Sequence, residues 1–248
     1  MCQKQYADSL LLRRPAIYDF LMEHIRSDYT QVRELHRTDR GSVLLVRHDQ
    51  THTPYIFRHF KGSAEVYRKL LFLDCANLPH IYEAAEKEGN AVVLEEYIEG
   101  DNMQELLKGV LFSKEETRAI VRDLCQGLWV LHKNGAVHRD IKPENIILRG
   151  DTAILIDFDA SRIFKKESAA DTVVLGTTGF AAPEQYGMGQ SDRRSDIYSL
   201  GVLMNVMLTG KHPSHQLTPG RFGRIISKCT MMDPAARYDS VVELLEAL

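Results

Sequence analysis

His138-Arg139-Asp140-Ile141-Lys142-Pro143-Glu144-Asn145 is the stretch on which the reading of this chain turns, and Asp157-Phe158-Asp159 begins twelve residues beyond Asn145. Two short apolar runs, 146–148 and 153–156, lie between the motifs. Two carboxylates, an amide and a lysine are therefore set on loops flanking short segments of strand character. Carboxylate and amide oxygens are hard ligands, suited to magnesium held jointly with substrate phosphates. A lysine beside them can stabilise charge on a phosphoryl group in transfer. The bland alternative is a surface loop that is merely polar. Such a loop has no reason to hold these groups in this order, with a second acidic motif at a set distance.

Outward from this stretch the pattern is mostly helical. Upstream, Ser113 and Glu116 form a capping-box pattern, Ile120, Leu124, Leu128 and Leu131 share one face, and Gly135 stands where a C-cap is expected. Downstream come Gly176-Thr177-Thr178-Gly179-Phe180-Ala181-Ala182-Pro183-Glu184, a helix predicted over 196–208, Asp233-Pro234 with Arg237, and a last helix predicted over 240–248. Between 32 and 98 the character changes to short apolar runs, 42–46, 55–60 and 91–94, which read as an antiparallel sheet. Earlier still, Leu10, Leu11, Ile17, Phe20, Leu21 and Ile25 recur at helical spacing, interrupted at Pro15, and predict one or two short helices preceding the main domain. The fold class is thus α+β: a small antiparallel-sheet N-terminal lobe and a larger, mostly helical C-terminal lobe.

The stretch 138–145 resembles the catalytic loop of eukaryotic-type protein kinases, and the fuller pattern is similar to compact bacterial serine/threonine kinases. The resemblance spans about 32–248. It implies an extension at 1–31, an N-lobe over 32–95, a hinge at 96–100 and a C-lobe over 101–248. It further implies that Asp140 orients the substrate hydroxyl and accepts its proton, that Lys142 meets the phosphoryl group, and that Asn145 and Asp157 hold the metal. Asp196 would brace the catalytic loop, and Glu184 would pair with Arg237 in a structural role. Lys142, two places after Asp140, is the serine/threonine form of the motif. Ser168, Thr172, Thr177 and Thr178 lie where such enzymes are switched by phosphorylation, with Arg139 as acceptor of the new charge, although Thr177 reads first as a fixed contact to Asp140 and Lys142.

The nucleotide end departs from the family. Of the expected glycine-rich loop, His36-Arg37-Thr38-Asp39-Arg40-Gly41-Ser42-Val43 retains only Gly41 and Val43. Arg58 stands at the strand lysine, and its planar fork is not equivalent to an ammonium. Ile56 replaces a small residue over the adenine, Glu65 is the expected helix partner of Arg58, and Glu95 backs the adenine pocket and needs a partner, Arg58 being one candidate. The resemblance implies ATP contacts at Leu35, Gly41, Val43, Ile56, Arg58, Glu65, Glu96, Ile98, Ile147 and Ile156. Asp159 replaces the usual glycine and either adds a third carboxylate near the metal or faces solvent.

A formal net charge of -3 over 248 residues gives no electrostatic footprint for nucleic acid. Cys2, Cys75, Cys125 and Cys229 form no C-x-x-C pair, which excludes a zinc-ribbon reading and suits a reducing compartment. His48 and His52 lie on a predicted turn with no further ligand to complete a metal site. No window is apolar enough to span a bilayer and no signal-peptide layout is visible, so the expectation is a cytoplasmic protein. The function expected is transfer of the ATP γ-phosphoryl group, with Mg2+, to a Ser or Thr of a protein substrate or of the chain itself. Two alternatives stand beside it. One is a pseudokinase acting as a binding module, favoured by Arg58, Ile56 and the missing glycines. The other is a small-molecule kinase, opposed by the loop ending Ala182-Pro183-Glu184.

Overall fold

The computed structural model of the chain describes residues 14–164, 179–186 and 191–248. The chain divides into two compact units, one within Met1–Asp74 and Pro79–Tyr97, the other Cys75–Leu78 with Ile98–Leu248.

The first unit is an antiparallel sheet of β1 (Tyr29–Thr38), β2 (Gly41–His48), β3 (Pro54–Lys61), β4 (Ile81–Lys87) and β5 (Asn90–Glu96), in the order β1-β2-β3-β5-β4. Its inner strands β3 and β5 are buried over most of their length. Helix α1 (Arg14–Asp28) lays Leu21 and Ile25 on one face, where they join Val46, Phe57, Ala85, Val92 and Leu94 in a single core. Each such aliphatic side chain contributes about 1.5–3 kcal/mol by leaving water. Helix α2 (Glu65–Leu70) buries Val66, Tyr67 and Leu70, and the Tyr67 ring lies 5.9 Å from Phe60.

Pro15 lies in the first turn of α1, where a backbone N–H has no intrahelical acceptor to lose. Helix α1 is thus packed into the core of the first unit through Leu21 and Ile25. Leu10 and Leu11 lie outside the described residues. Strand β1 was not legible as a strand because nine of its ten residues are exposed, so no alternation marks it.

The second unit is built on α4 (Lys114–Lys133), which follows the short β6 (Asp101–Asn102) and α3 (Met103–Leu106). The capping box is formed in both directions, Glu116 N–H to Ser113 Oγ at 3.2 Å and Ser113 N–H to Glu116 Oε2 at 2.7 Å. Gly135 takes φ +71° just past the helix end, a conformation other residues adopt at a cost. After β7 (Ala136–Val137) the hairpin β8 (Ile146–Arg149) and β9 (Thr152–Leu155) carries the catalytic stretch at its entrance, and β10 (Arg162–Ile163) pairs back on β7. Helix α5 (Arg193–Thr209) is buried over most of its length, Met204 and Met207 included, and α6 (Gly220–Cys229) and α7 (Val241–Ala247) complete the unit.

Glu184 and Arg237 form the expected buried pair, Nη1 to Oε1 at 2.7 Å and Nη2 to Oε2 at 2.9 Å. Cys125 is a core residue, its thiol pushed up to about 12 by burial, and Cys75, Cys125 and Cys229 are all free thiols. No helix of the described residues is long and apolar enough to cross a membrane.

Candidate active site

The catalytic stretch is a loop between β7 and β8 whose last residues, Pro143–Asn145, form a single 3-10 turn. Asp140, Lys142 and Asn145 converge there. Lys142 Nζ lies 2.8 Å from Asp140 Oδ2. Asn145 Nδ2 donates to the same oxygen at 3.0 Å and to the Asp140 carbonyl at 2.9 Å. With Oδ2 held from two sides the Asp140 carboxylate is fixed in orientation and its charge is matched by Lys142. Anchoring Asn145 through its nitrogen leaves its side-chain oxygen as the donor atom a hard cation requires.

The loop is strained and is held by what surrounds it. Arg139 has φ +72° and Asp157 φ +71°. A non-glycine residue in this region costs about 1–3 kcal/mol. Asp196, fully buried at the start of α5, offsets that cost. Its carboxylate accepts from the His138 N–H at 2.9 Å, the Arg139 N–H at 2.8 Å and His132 Nε2 at 2.7 Å. Bonds to an ionised acceptor contribute about 1.5–3 kcal/mol each, enough to hold both amides in place against the strain. Burial by itself would raise the Asp196 carboxyl, but the hydrogen bond and charge of His132, with the loop amides, outweigh it and keep the group below its ordinary value. Gln185 Nε2 donates to the Arg139 carbonyl at 2.7 Å, and Ser161 Oγ to that of His138 at 3.1 Å.

His138 is a structural member of the loop. Its Nδ1 accepts from the Asp140 N–H at 3.3 Å while Nε2 donates to the Ile156 carbonyl at 3.3 Å, a pattern only the neutral ring provides. Burial pushes its imidazole below the ordinary value, against the pull of the Asp196, Asp140 and Asp157 carboxylates, so the neutral ring is favoured. The ring stands edge-on to Phe158 at 5.5 Å. Asp157 accepts from the Asp159 N–H through Oδ1 at 3.2 Å, and Asp159 is exposed. Among the described residues no three or more His, Cys, Asp or Glu cluster as a metal cage. Asn145 and Asp157 suit instead a divalent ion that keeps water and phosphate oxygens as its other ligands.

In this unit Ile98 is buried, Ile147 is half-buried opposite Ile154, and the half-buried Ile156 is tied by its N–H to the Asn145 carbonyl at 2.9 Å. The expected switch and contact residues Ser168, Thr172, Thr177 and Thr178 lie outside the described residues.

The first unit carries the other expected contacts. Val43 pairs with Arg58 across β2 and β3, while Ile56 pairs with Glu95 across β3 and β5, so all four side chains share one face. In place of a glycine-rich loop, β1 and β2 turn on Asp39 and Arg40 alone, with Thr38 paired to Gly41. Gly41 has a structural reason to be glycine: a Cβ there would stand 2.2 Å from the His59 carbonyl oxygen. Its retention is therefore no sign of a phosphate cradle. Leu35 falls in the irregularity of β1 between Glu34 and His36 and is 40% exposed. The Glu96 carboxylate accepts from the His80 N–H at 3.1 Å. Glu65, the expected partner of Arg58, is exposed at the first position of α2, and its side chain makes no hydrogen bond or ion pair among the described residues. Arg58 is instead joined to Glu95, Nε to Oε1 at 2.7 Å, with both side chains buried.

Sequence reasoning missed His132, Gln185 and Ser161. Gln185 and Ser161 bond loop carbonyls and His132 the Asp196 carboxylate, all distant in sequence, and no local pattern marks such a contact.

A family model for the protein kinase domain matches residues 29–242. The chain belongs to the protein kinase family. Among curated proteins it is similar to serine/threonine-protein kinase D of Synechocystis, 31% identical over 80% of this chain and 43% of that protein. It is also similar to serine/threonine-protein kinase PknL of Mycobacterium tuberculosis, 32% identical over 68% of this chain and 49% of that protein. PknA of Nostoc is 33% identical over 69% and 35% respectively. The chain thus spans half or less of the length of these bacterial relatives. Members of the family use ATP as phosphoryl donor together with a divalent metal.

Proposed function

We propose that the chain is a serine/threonine protein kinase domain that transfers the γ-phosphoryl group of ATP, with magnesium, to a protein hydroxyl, its own included. The observation that carries this is the set Asp140, Lys142 and Asn145, bonded together on a strained loop that Asp196 holds from behind. Asp140 is oriented to take the hydroxyl proton as the oxygen attacks phosphorus. Lys142 supplies fixed positive charge for the transferring group. Asn145 and Asp157 would hold the metal, whose chemistry is to neutralise charge on the phosphate oxygens. Leu35, Gly41, Val43, Ile56, Arg58 and Glu96 in the first unit are proposed nucleotide contacts, as are Ile98, Ile147 and Ile156 in the second.

The two-residue turn at Asp39 and Arg40 offers few backbone amides to phosphate, so ATP binding should be weak while transfer remains competent. A purely binding role leaves the Asp140–Lys142–Asn145 arrangement without a purpose. The named relatives support the serine/threonine assignment, and a cytoplasmic setting fits the free thiols.

The test is transfer from radiolabelled ATP to the chain itself and to a generic basic protein. Wild type is expected to label, and Asp140→Asn to lose about 100-fold or more, the scale of a general base. Asp157→Asn should remove the metal-dependent signal. Labelling that survives in both variants rules out this site as its source, and no labelling by wild type favours the binding module.

A further inference from the structure

We infer that Glu95, and not Glu65, is the positioning residue for Arg58, so that the phosphate anchor of this domain is assembled by sheet register and not by the helix α2. The inference rests on the reading of Arg58 as the group that meets the ATP phosphates. Arg58 and Glu95 are 4% and 2% exposed and their side chains meet at 2.7 Å. Direct pairing of Ile56 with Glu95 and of Arg58 with Val93 puts both side chains on one face as diagonal neighbours. The register runs unbroken from Tyr55–Glu96 to Lys61–Asn90. A one-residue slip of either strand would put the two charges on opposite faces, so the pair is fixed as firmly as the register is.

The chemistry of the contact favours arginine. The bond uses Nε, which fixes the guanidinium plane. A lysine has one nitrogen and would have to serve the carboxylate and a phosphate with the same atom. Glu95 therefore orients Arg58 and keeps its charge compensated inside the unit when no nucleotide is present. A lone buried guanidinium would be costly. Where the carboxylate sits on a helix, moving that helix disassembles the anchor and switches the enzyme. Here the carboxylate lies on the strand next to Arg58, and displacing α2 leaves the pair intact.

The experiment measures binding of ATP and of adenosine, by displacement of a fluorescent nucleotide, to wild type, Glu95→Gln, Glu95→Asp, Glu65→Ala and Arg58→Ala. Glu95→Gln is expected to weaken ATP about tenfold, a difference of about 1.4 kcal/mol, and to leave adenosine unchanged, because only the phosphates feel Arg58. Glu95→Asp, which keeps the charge one methylene short, should lie between, and it carries the same comparison if the Gln variant does not fold. Glu65→Ala should match wild type within about twofold, as an unpaired surface charge does. Equal loss of ATP and adenosine in the Glu95 variants would mean a merely structural residue and overturn the inference. So would tighter ATP binding in Glu95→Gln, which would make Glu95 a competitor for Arg58. A loss in Glu65→Ala comparable to that in Glu95→Gln would overturn it too. If Arg58→Ala itself leaves ATP binding unchanged, the assignment of Arg58 fails, and the inference about Glu95 fails with it.

Discussion

Replacing Arg237 by Met should be among the most damaging single changes in the second unit, although Arg237 takes no part in chemistry. Its side chain is fully buried, and all five of its N–H groups have work. Nε donates to the Met231 carbonyl at 2.8 Å, Nη1 to Glu184 at 2.7 Å and the Arg194 carbonyl at 3.0 Å, and Nη2 to Glu184 at 2.9 Å and the Met232 carbonyl at 3.3 Å. The plane also lies over the Tyr198 ring at 5.0 Å. Removing one partner of a buried pair costs about 3–5 kcal/mol, because the other charge is left behind. Glu184 would keep only the hydroxyl of Ser195, 2.7 Å from Oε1. For a domain of this size that loss is about 6–20 °C in melting temperature. Urea unfolding followed by circular dichroism, at neutral pH, measures it directly. Arg237→Lys should recover only part, since three donors on one nitrogen cannot replace a planar fork reaching four residues. The double variant Arg237→Met with Glu184→Met should lose less than the two singles added together. A loss below about 1 kcal/mol for Arg237→Met, or strict additivity in the double, would refute the account.

Asp196→Asn should both weaken the domain and change its acid behaviour. The folded-state carboxyl lies below the unfolded one, so its contribution is complete above the aspartate range near about 3.9 and is lost as pH falls through the folded value. A plot of stability against pH should therefore show a lower plateau and a shallower acid limb in the variant; an unchanged limb would mean that Asp196 is not the group involved. Gly201→Ala should destabilise despite alanine's better helix propensity. A Cβ there meets the Cys229 Cβ at 2.5 Å and Thr230 Cγ2 at 3.0 Å, and overpacking of this kind costs about 1–3 kcal/mol against the roughly 1 kcal/mol gained. A melting temperature equal to or above wild type would show that α5 and α6 can separate without penalty.

The second unit was legible because its chemistry is contiguous: Asp140, Lys142 and Asn145 lie within six residues, and the partners Asp196, Glu184 and Arg237 fall in further recognisable stretches. The capping box of α4 could be read because cap and helix are local. His132 could not, since its value lies in one bond to Asp196 across 64 residues. Pro15 lies in the first turn of α1, where a proline is neutral, and sequence alone did not fix where α1 begins. The Arg58–Glu95 pair was half legible. Period-two alternation could identify which residues of β3 and β5 share a face, but the choice between Glu65 and Glu95 depended on where α2 starts.

The catalytic loop of the second unit and the Arg58 strand of the first differ in how replaceable their parts are, and the reason is physical. The catalytic loop places Arg139 in the left-handed region and ties it to one network in which Asp196, His138, Asn145 and Gln185 each satisfy a backbone group. Changing one member leaves a buried donor or acceptor unmet, so the loop is kept as a whole or lost as a whole. Arg58, the proposed phosphate anchor, is placed differently. It is one cation on one strand, and any buried carboxylate on the same face can compensate it, whether it comes from a helix or from the neighbouring strand. An arginine at position 58 is therefore tolerable when position 95 is a glutamate. Gly41 illustrates the same division: it is held by the His59 carbonyl at 2.2 Å from any added Cβ, while the turn beside it can be charged and short. Departures at Asp39, Arg40, Ile56 and Arg58 are thus changes at positions the fold leaves adjustable, and they give no ground for reading the rigid catalytic loop as idle.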